Sequence, residues 1–142
     1  MTGALLFAGG LLVAGVATAS AAPLPFSPNA TADVECLSSV SLPASGFNVT
    51  LPASKAGSSN CFLVRNDSGE GVMALQFALK TCNNQGNLAV DGDFGPGTMA
   101  ALEAVQSAHH IPADGMYGNQ SRGVIQWPSE SLPKRCSSPN HF

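Results

Sequence analysis

Charge is scarce in this chain. Only 11% of its 142 residues are Asp, Glu, Lys or Arg, and six basic residues against nine acidic ones leave a formal net charge of -3. No basic face is available to neutralise a row of phosphates, which argues against nucleic acid and anionic membrane surfaces as partners. Aromatic residues are few, with one Trp and one Tyr. No Ser stands in a Gly-x-Ser-x-Gly setting, no His pair has His-x-x-x-His spacing, and no Cys-x-x-Cys occurs. The sequence therefore sets up no activated serine, zinc site or redox thiol, and predicts no metal and no cofactor. The length suits one domain plus tails, with no room for a separate catalytic domain.

What is present divides the chain into segments. Residues 1–22 carry no charge, are rich in Leu, Val, Ala and Gly, and end near Ala19-Ser20-Ala21. This pattern predicts a signal peptide over residues 1–21, although the usual Lys or Arg at its head is missing and the first basic residue is Lys55. A retained transmembrane helix is the competing reading. The weak hydropathy of Ala and Gly, together with Pro23 and Pro25 just beyond, favours cleavage, secretion and no membrane contact afterwards. Cys36, Cys61, Cys82 and Cys136 then remain, and an even count behind a signal predicts two disulfides, for which three connectivities are open. Residues 22–60, rich in Ala, Ser, Pro and Asn, read as a loosely ordered arm in which Phe47-Asn48-Val49-Thr50-Leu51 is the run able to pair as extended chain. The Asn-x-Ser/Thr triplets at Asn29, Asn48 and Asn66 are attributed to chance in Asn- and Ser-rich sequence.

From Gly69 onward the pattern sharpens. Val72, Leu75, Gln76 and Leu79 share one helical face, predicting a first helix that ends near Thr81. A polar break over 83–87 leads to Asp91-Gly92-Asp93-Phe94-Gly95-Pro96-Gly97. Thr98 stands where an N-cap belongs, with Ala101, Leu102 and Val105 behind it on a second helix running to about His109. At an offset of 23 residues the same unit recurs: Asp114, Gly115, Tyr117, Gly118, Ser121 and Ile125 match Asp91, Gly92, Phe94, Gly95, Thr98 and Leu102. Two similar loop-plus-helix units, each too short to bury its own apolar face, must pack together. The third helix is placed from Ser121 to Trp127.

These residues, with both Asp-Gly-x-aromatic-Gly loops in register behind the Gly69-x-x-Val72-x-x-Leu75-Gln76-x-x-Leu79 pattern, resemble the peptidoglycan-binding domain found beside many cell-wall hydrolases. The resemblance covers about Gly69 to Trp127. It implies an all-α fold, a small three-helix bundle within residues 61–136 followed by a tail at 137–142, and noncovalent binding to bacterial peptidoglycan by a secreted or wall-associated protein. It also implies, from secreted members with a Cys on each flank of the bundle, that Cys61 pairs with Cys136, leaving Cys36 with Cys82. Two positions depart from the family pattern. Val105 replaces an aromatic ring that Trp127 or Phe77 would have to restore, and His110 replaces the Gly that usually ends helix two, placing a non-glycine residue in the left-handed region.

The candidate ligand-binding residues carried over from the motif are Gln76, Asp91, Gly92, Phe94, Gly95, Gln106, Asp114, Tyr117, Gly118 and Asn119. Asp91 and Asp114 invite a reading as catalytic carboxylates, but Asp followed by Gly is turn chemistry, and Phe94 and Tyr117 read first as core plugs. His109 and His110 point apart on a helix end and read as solvated, while an oxidised Cys82 offers no thiolate for His109 to activate. The leading expectation is a binding module that is not an enzyme. The alternatives are a targeting fragment or accessory of a secreted cell-wall hydrolase, amidase or carboxypeptidase, and a protein-interaction scaffold.

Overall fold

A computed structural model describes residues 34–137. The elements follow in the order β1 (Ser38–Ala44), β2 (Phe47–Ala53), α1 (Glu70–Cys82), α2 (Pro96–Ala108), α3 (Asn119–Val124), β3 (Trp127–Pro128) and β4 (Cys136–Ser137). The signal peptide, the first part of the arm and the end of the tail, with His141, lie outside the described residues.

The all-α expectation is corrected by the strands. Much of the segment read as a loose arm is a hairpin, with β1 and β2 antiparallel in full register from Ser38 opposite Ala53 to Ala44 opposite Phe47. Ser45 and Gly46 make its two-residue turn at φ 48° and 87°, the positive-φ pair whose twist matches that of the flanking strands. Val49, Leu51 and Ala53 alternate along β2 and are fully buried. Pro43 and Pro52 dilute the strand pattern in the sequence, yet each is tolerated because a two-stranded ribbon has only edge strands. A second antiparallel pair joins β3 to β4, Trp127 opposite Ser137. The three helices are present, but they form an α+β domain rather than a helical bundle.

The hairpin packs on α1, which explains why α1 is buried on most of its circumference. Gly71, Val72, Ala74, Leu75, Gln76, Ala78 and Leu79 are covered, and a stripe through Glu70, Met73, Phe77 and Lys80 remains exposed. At the crossing the two backbones nearly touch: a Cβ added at Gly71 would lie 2.1 Å from the Cys36 carbonyl oxygen. The core continues through Leu63, Phe94, Leu102, Tyr117, Ile125 and Trp127, all 1% exposed or less. Trp127 thus supplies an interior aromatic ring, whereas Phe77 is 39% exposed and does not. His110 takes φ 57°, the left-handed helix stop.

The cysteine pairing implied by the resemblance is also overturned. Cys36 bonds Cys61 and Cys82 bonds Cys136. The hairpin is the reason for the first pair: its leading residues run alongside the segment before α1, with Glu35 bridging Phe62 in parallel and Cys36 N–H donating to the Phe62 carbonyl at 2.9 Å. The β3–β4 pair brings the C-terminal segment back to the end of α1, where Cys82 is the last helical residue. With sequence separations of 25 and 54, the two bridges stabilise the fold by about 3.5 and 4 kcal/mol on the chain-entropy account.

The contact at Gly71 gives a paired test. Gly71→Ala drives a methyl group into backbone and is expected to cost about 3 kcal/mol, whereas Gly123→Ala, in α3 with nothing within 4 Å, gains about 0.5 kcal/mol from helix propensity. Urea unfolding followed by the fluorescence of the single Trp measures both. Equal stability for the two variants would contradict the packing described.

Candidate functional site

Each Asp-Gly loop is built around one buried glutamine. Gln76, on α1 and 1% exposed, donates from Nε2 to Asp91 Oδ1 (2.8 Å), the Asp93 carbonyl (3.0 Å) and Thr98 Oγ1 (3.0 Å), and its Oε1 accepts from Gly92 N–H at 2.9 Å. Gln106, on α2 and equally buried, repeats the arrangement with Asp114 Oδ1 (2.8 Å), the Met116 carbonyl (2.9 Å), Ser121 Oγ (2.9 Å) and Gly115 N–H (2.9 Å). In both loops the same Asp oxygen accepts from the backbone two residues on, Asp93 N–H at 3.0 Å and Met116 N–H at 2.9 Å. Gly92 and Gly115 take φ 79° and 67°, so the Asp-Gly step makes a turn that a side chain at either glycine would strain.

This geometry revises the role expected of Thr98 and Ser121. Neither is an N-cap. Helix α2 starts at Pro96 after Gly95 and α3 at Asn119 after Gly118, neither with a side-chain cap bond. The two hydroxyls lie inside the first turn, buried, and donate back to the loop at the Asp93 carbonyl (3.4 Å) and the Met116 carbonyl (3.0 Å). Pro fits the first position of α2 because no intrahelical partner is needed there.

The loops are also tied to the segment before α1. Leu63 and Tyr117 exchange two backbone bonds (3.0 and 2.9 Å), Asn66 N–H donates to the Phe94 carbonyl (3.0 Å), and Gly69 N–H donates to the Gly92 carbonyl (2.9 Å). Phe94 and Tyr117 are consequently 1% exposed and offer no platform to a ligand. Among the described residues the Tyr117 hydroxyl has no hydrogen-bond partner. Its ring meets Trp127 edge to face at 6.1 Å, and burial holds its phenol well above the usual value of 10.0, opposed weakly by Arg122.

The candidates thus fall into two clusters, one around each glutamine. Gln76, Gly92, Phe94, Gln106 and Tyr117 are buried and shape the loops from beneath. Asp91, Asp114, Gly95, Gly118 and Asn119 retain exposure. Asn119 Nδ2 donates to Asn60 Oδ1, which ties the start of α3 to the segment before α1. A cleft of about 440 Å³ opens on the first cluster alone, lined by Asp91 and Gly95 with Asn84, Gln85, Asn87, Asp93 and Thr98. The second-loop residues Asp114, Tyr117, Gly118 and Asn119 do not line it. Sequence reasoning missed Asn84, Gln85 and Asn87, whose polar run reads only as a helix break. The Asp91 carboxyl is held below its usual range, first by the Asp93 N–H and then by the Gln76 amide, so it remains an anionic acceptor at the rim. Among the described residues no three His, Cys, Asp or Glu side chains are grouped to hold a metal ion, and no helix is long and apolar enough to cross a membrane.

Residues 68–125, the segment that carries both glutamine-centred loops, match the family described as "Putative peptidoglycan binding domain". The chain is 31% identical over 98 residues to an uncharacterized protein in the bpoA1 3' region of Kitasatospora aureofaciens, an alignment covering 61% of this chain and 83% of that one. The chain belongs to the peptidoglycan-binding domain family. It is also 44% identical over 57 residues to the zinc D-Ala-D-Ala carboxypeptidase of Streptomyces albus G, spanning 39% of this chain but only 22% of that enzyme. The solved SleB N-terminal domain is 41% identical, covers 45% of this chain and 86% of its own, and superposes with a TM-score of 0.43. The peptidoglycan-binding domain here occupies the helices and loops, while the hairpin, the β3–β4 pair and Cys36, Cys61 and Cys136 lie outside the matched segment.

Because the chain has one tyrosine, its titration isolates Tyr117. The fold keeps this phenol protonated while an unfolded chain ionises it near 10.0, so the contribution of Tyr117 to stability is fully present below pH 10 and is lost as pH rises beyond it. Absorbance at the tyrosinate band is expected to lag a model tyrosine and to rise together with loss of the Trp127 signal. A phenol that titrates near 10.0 in folded protein would contradict the burial described.

Proposed function

We propose that the protein is a non-catalytic module that attaches to bacterial peptidoglycan outside the cell, using the amide-lined cleft at the first Asp-Gly loop. The observation that carries this reading is the lining itself: Asn84, Gln85 and Asn87 line, together with Asp91 and Asp93, one depression of small-ligand size. Each carboxamide both donates and accepts, and each carboxylate accepts, which is the complement of the hydroxyl and N-acetyl groups of a wall glycan. Gln76, Gly92 and Phe94 act by holding the first loop and its cleft in shape, and the accessible Asp91 and Gly95 make contact. With no aromatic residue in the cleft lining and little charge on the chain, the cleft binds weakly and with modest dependence on salt.

A second reading has one specific observation in its favour, the 44% identity to part of a carboxypeptidase. On that reading the module delivers a wall hydrolase to its substrate as an accessory. Both readings require wall binding. They divide on whether a hydrolase is retained with the module on glycan-free beads.

Sedimentation with insoluble peptidoglycan tests the main reading. The oxidised protein is expected to pellet with the wall, and an Asn87→Ala, Asp93→Ala double variant, changed at two exposed cleft residues, is expected to pellet at least about tenfold more weakly while keeping its unfolding midpoint. Equal pelleting by a folded variant would remove the cleft from the site.

A further inference from the structure

We propose that the groove beside the exposed face of α1 is a second recognition site, which takes the stem peptide of peptidoglycan while the amide cleft takes its glycan. This rests on the wall-binding reading and names the part of the polymer that each face receives.

The exposed stripe of α1 should be polar if it only met water. Instead Met73 and Phe77 stand four residues apart on it, 44% and 39% exposed, and Val90 joins them at 40%. All three line one groove of about 530 Å³. Its other wall lies outside the family-matched segment: Ser39 and Thr50 come from the hairpin, and Pro128, Glu130 and Lys134 from the returning C-terminal segment. The groove is thus created by the elements this chain adds to the common domain.

Charge selects the occupant. Lys134 Nζ lies 5.4 Å above the Phe77 ring and is pinned by the Ser129 carbonyl (2.8 Å) and the Glu130 carbonyl (3.2 Å), which uses two of its three N–H donors. Thr50 Oγ1 donates to Glu130 Oε1 at 2.8 Å, and hydrogen bonds from Ser41 and Thr50 hold that carboxyl below its usual range, so it stays anionic. Glu70 supplies a second carboxylate on the groove. An apolar floor between one fixed cation and two carboxylates fits a short peptide with small apolar side chains, a free carboxylate and a free ammonium. A stem peptide of alanines and a diamino acid has all three. N-acetylated glycan has neither the ammonium nor the run of methyl groups, and anionic lipid headgroups would meet the two carboxylates.

The two sites are contiguous. Val90 lines the groove and Asp91, the next residue, lines the cleft. Gly92 rests on Met73, where an added Cβ would lie 3.1 Å from Met73 Cγ. A sugar held in the cleft therefore places its peptide branch at the mouth of the groove.

The test uses the full oxidised chain and three probes: a synthetic alanine- and diaminopimelate-containing stem tetrapeptide, peptide-free glycan strands, and intact wall sacculi. The tetrapeptide is expected to shift the Met73 methyl resonance in a saturable manner. Phe77→Ser and Lys134→Gln, both at exposed positions and checked for folding by Trp127 fluorescence, should each weaken peptide binding about tenfold while leaving glycan-strand binding unchanged. Blocking the peptide's amino group should weaken it similarly. The proposal is overturned if the tetrapeptide leaves Met73 unmoved, if glycan strands shift Met73 instead, or if both variants bind the tetrapeptide like wild type. Binding of sacculi and strands without the tetrapeptide removes the groove alone, whereas failure of all three probes removes the wall reading with it.

Discussion

The loops of this domain depend on a buried carboxamide that makes four hydrogen bonds. A loop of the composition Asp-Gly-x-aromatic-Gly has no ladder to satisfy its backbone, and packing it against a helix would leave its N–H and carbonyl groups stranded at about 1–3 kcal/mol each. Gln76 and Gln106 remove that cost by presenting both a donor pair and an acceptor from a neighbouring helix. Glutamate could not donate and leucine could do neither. Once the loop is fixed, its aromatic residue is driven inward, the Asp carboxylate is aimed at the backbone two residues on, and the next helix starts at a set angle. The surface cleft is the outer side of this arrangement, so its shape is inherited from groups that no ligand touches.

The hairpin and the two disulfides serve a different end. The common helical segment alone has a small core, and the added strands cover most of α1 with Val49, Leu51 and Ala53. The covering is incomplete at the stripe through Met73 and Phe77, where the returning C-terminal segment leaves a charged, apolar groove rather than closing it. Cys36–Cys61 anchors the entry to the hairpin and Cys82–Cys136 anchors that returning segment, so both walls of the groove are stapled to the helical domain.

Much of this was legible in the sequence, and the parts that were not have physical causes. The helices and the repeated loops show because helical periodicity and Asp-Gly turn chemistry are local signals. Only Phe47–Leu51 shows as a run able to pair, and it is the core of β2; its partner strand is hidden because Pro43 and a run of serines blur the alternation. The cysteine pairing followed the hairpin and was lost with it. The glutamine repeat escaped because Gln76 precedes its Asp by 15 residues and Gln106 by only 8. The longer connection between α1 and α2 breaks the 23-residue offset that reveals the loops. That longer connection contributes Asn84, Gln85 and Asn87, which is why the cleft forms at the first loop and why its lining looked like a mere helix break. Of the candidate residues, burial separates those that shape the loops from those able to touch a ligand, a distinction no linear motif carries.

The central claim is that one glutamine fixes each loop by capturing the glycine amide of its Asp-Gly step. Amide hydrogen exchange in the folded protein measures this directly at Gly92 and Gly115, with Gly86 in the polar connection as the exposed reference. The expected result is protection of Gly92 and Gly115 comparable to the amides in the middle of α1, with Gly86 exchanging at the rate of an open chain. Exchange at Gly92 and Gly115 as fast as at Gly86 would mean that the loops are not held by their glutamines, and the account of the site built on them would fall.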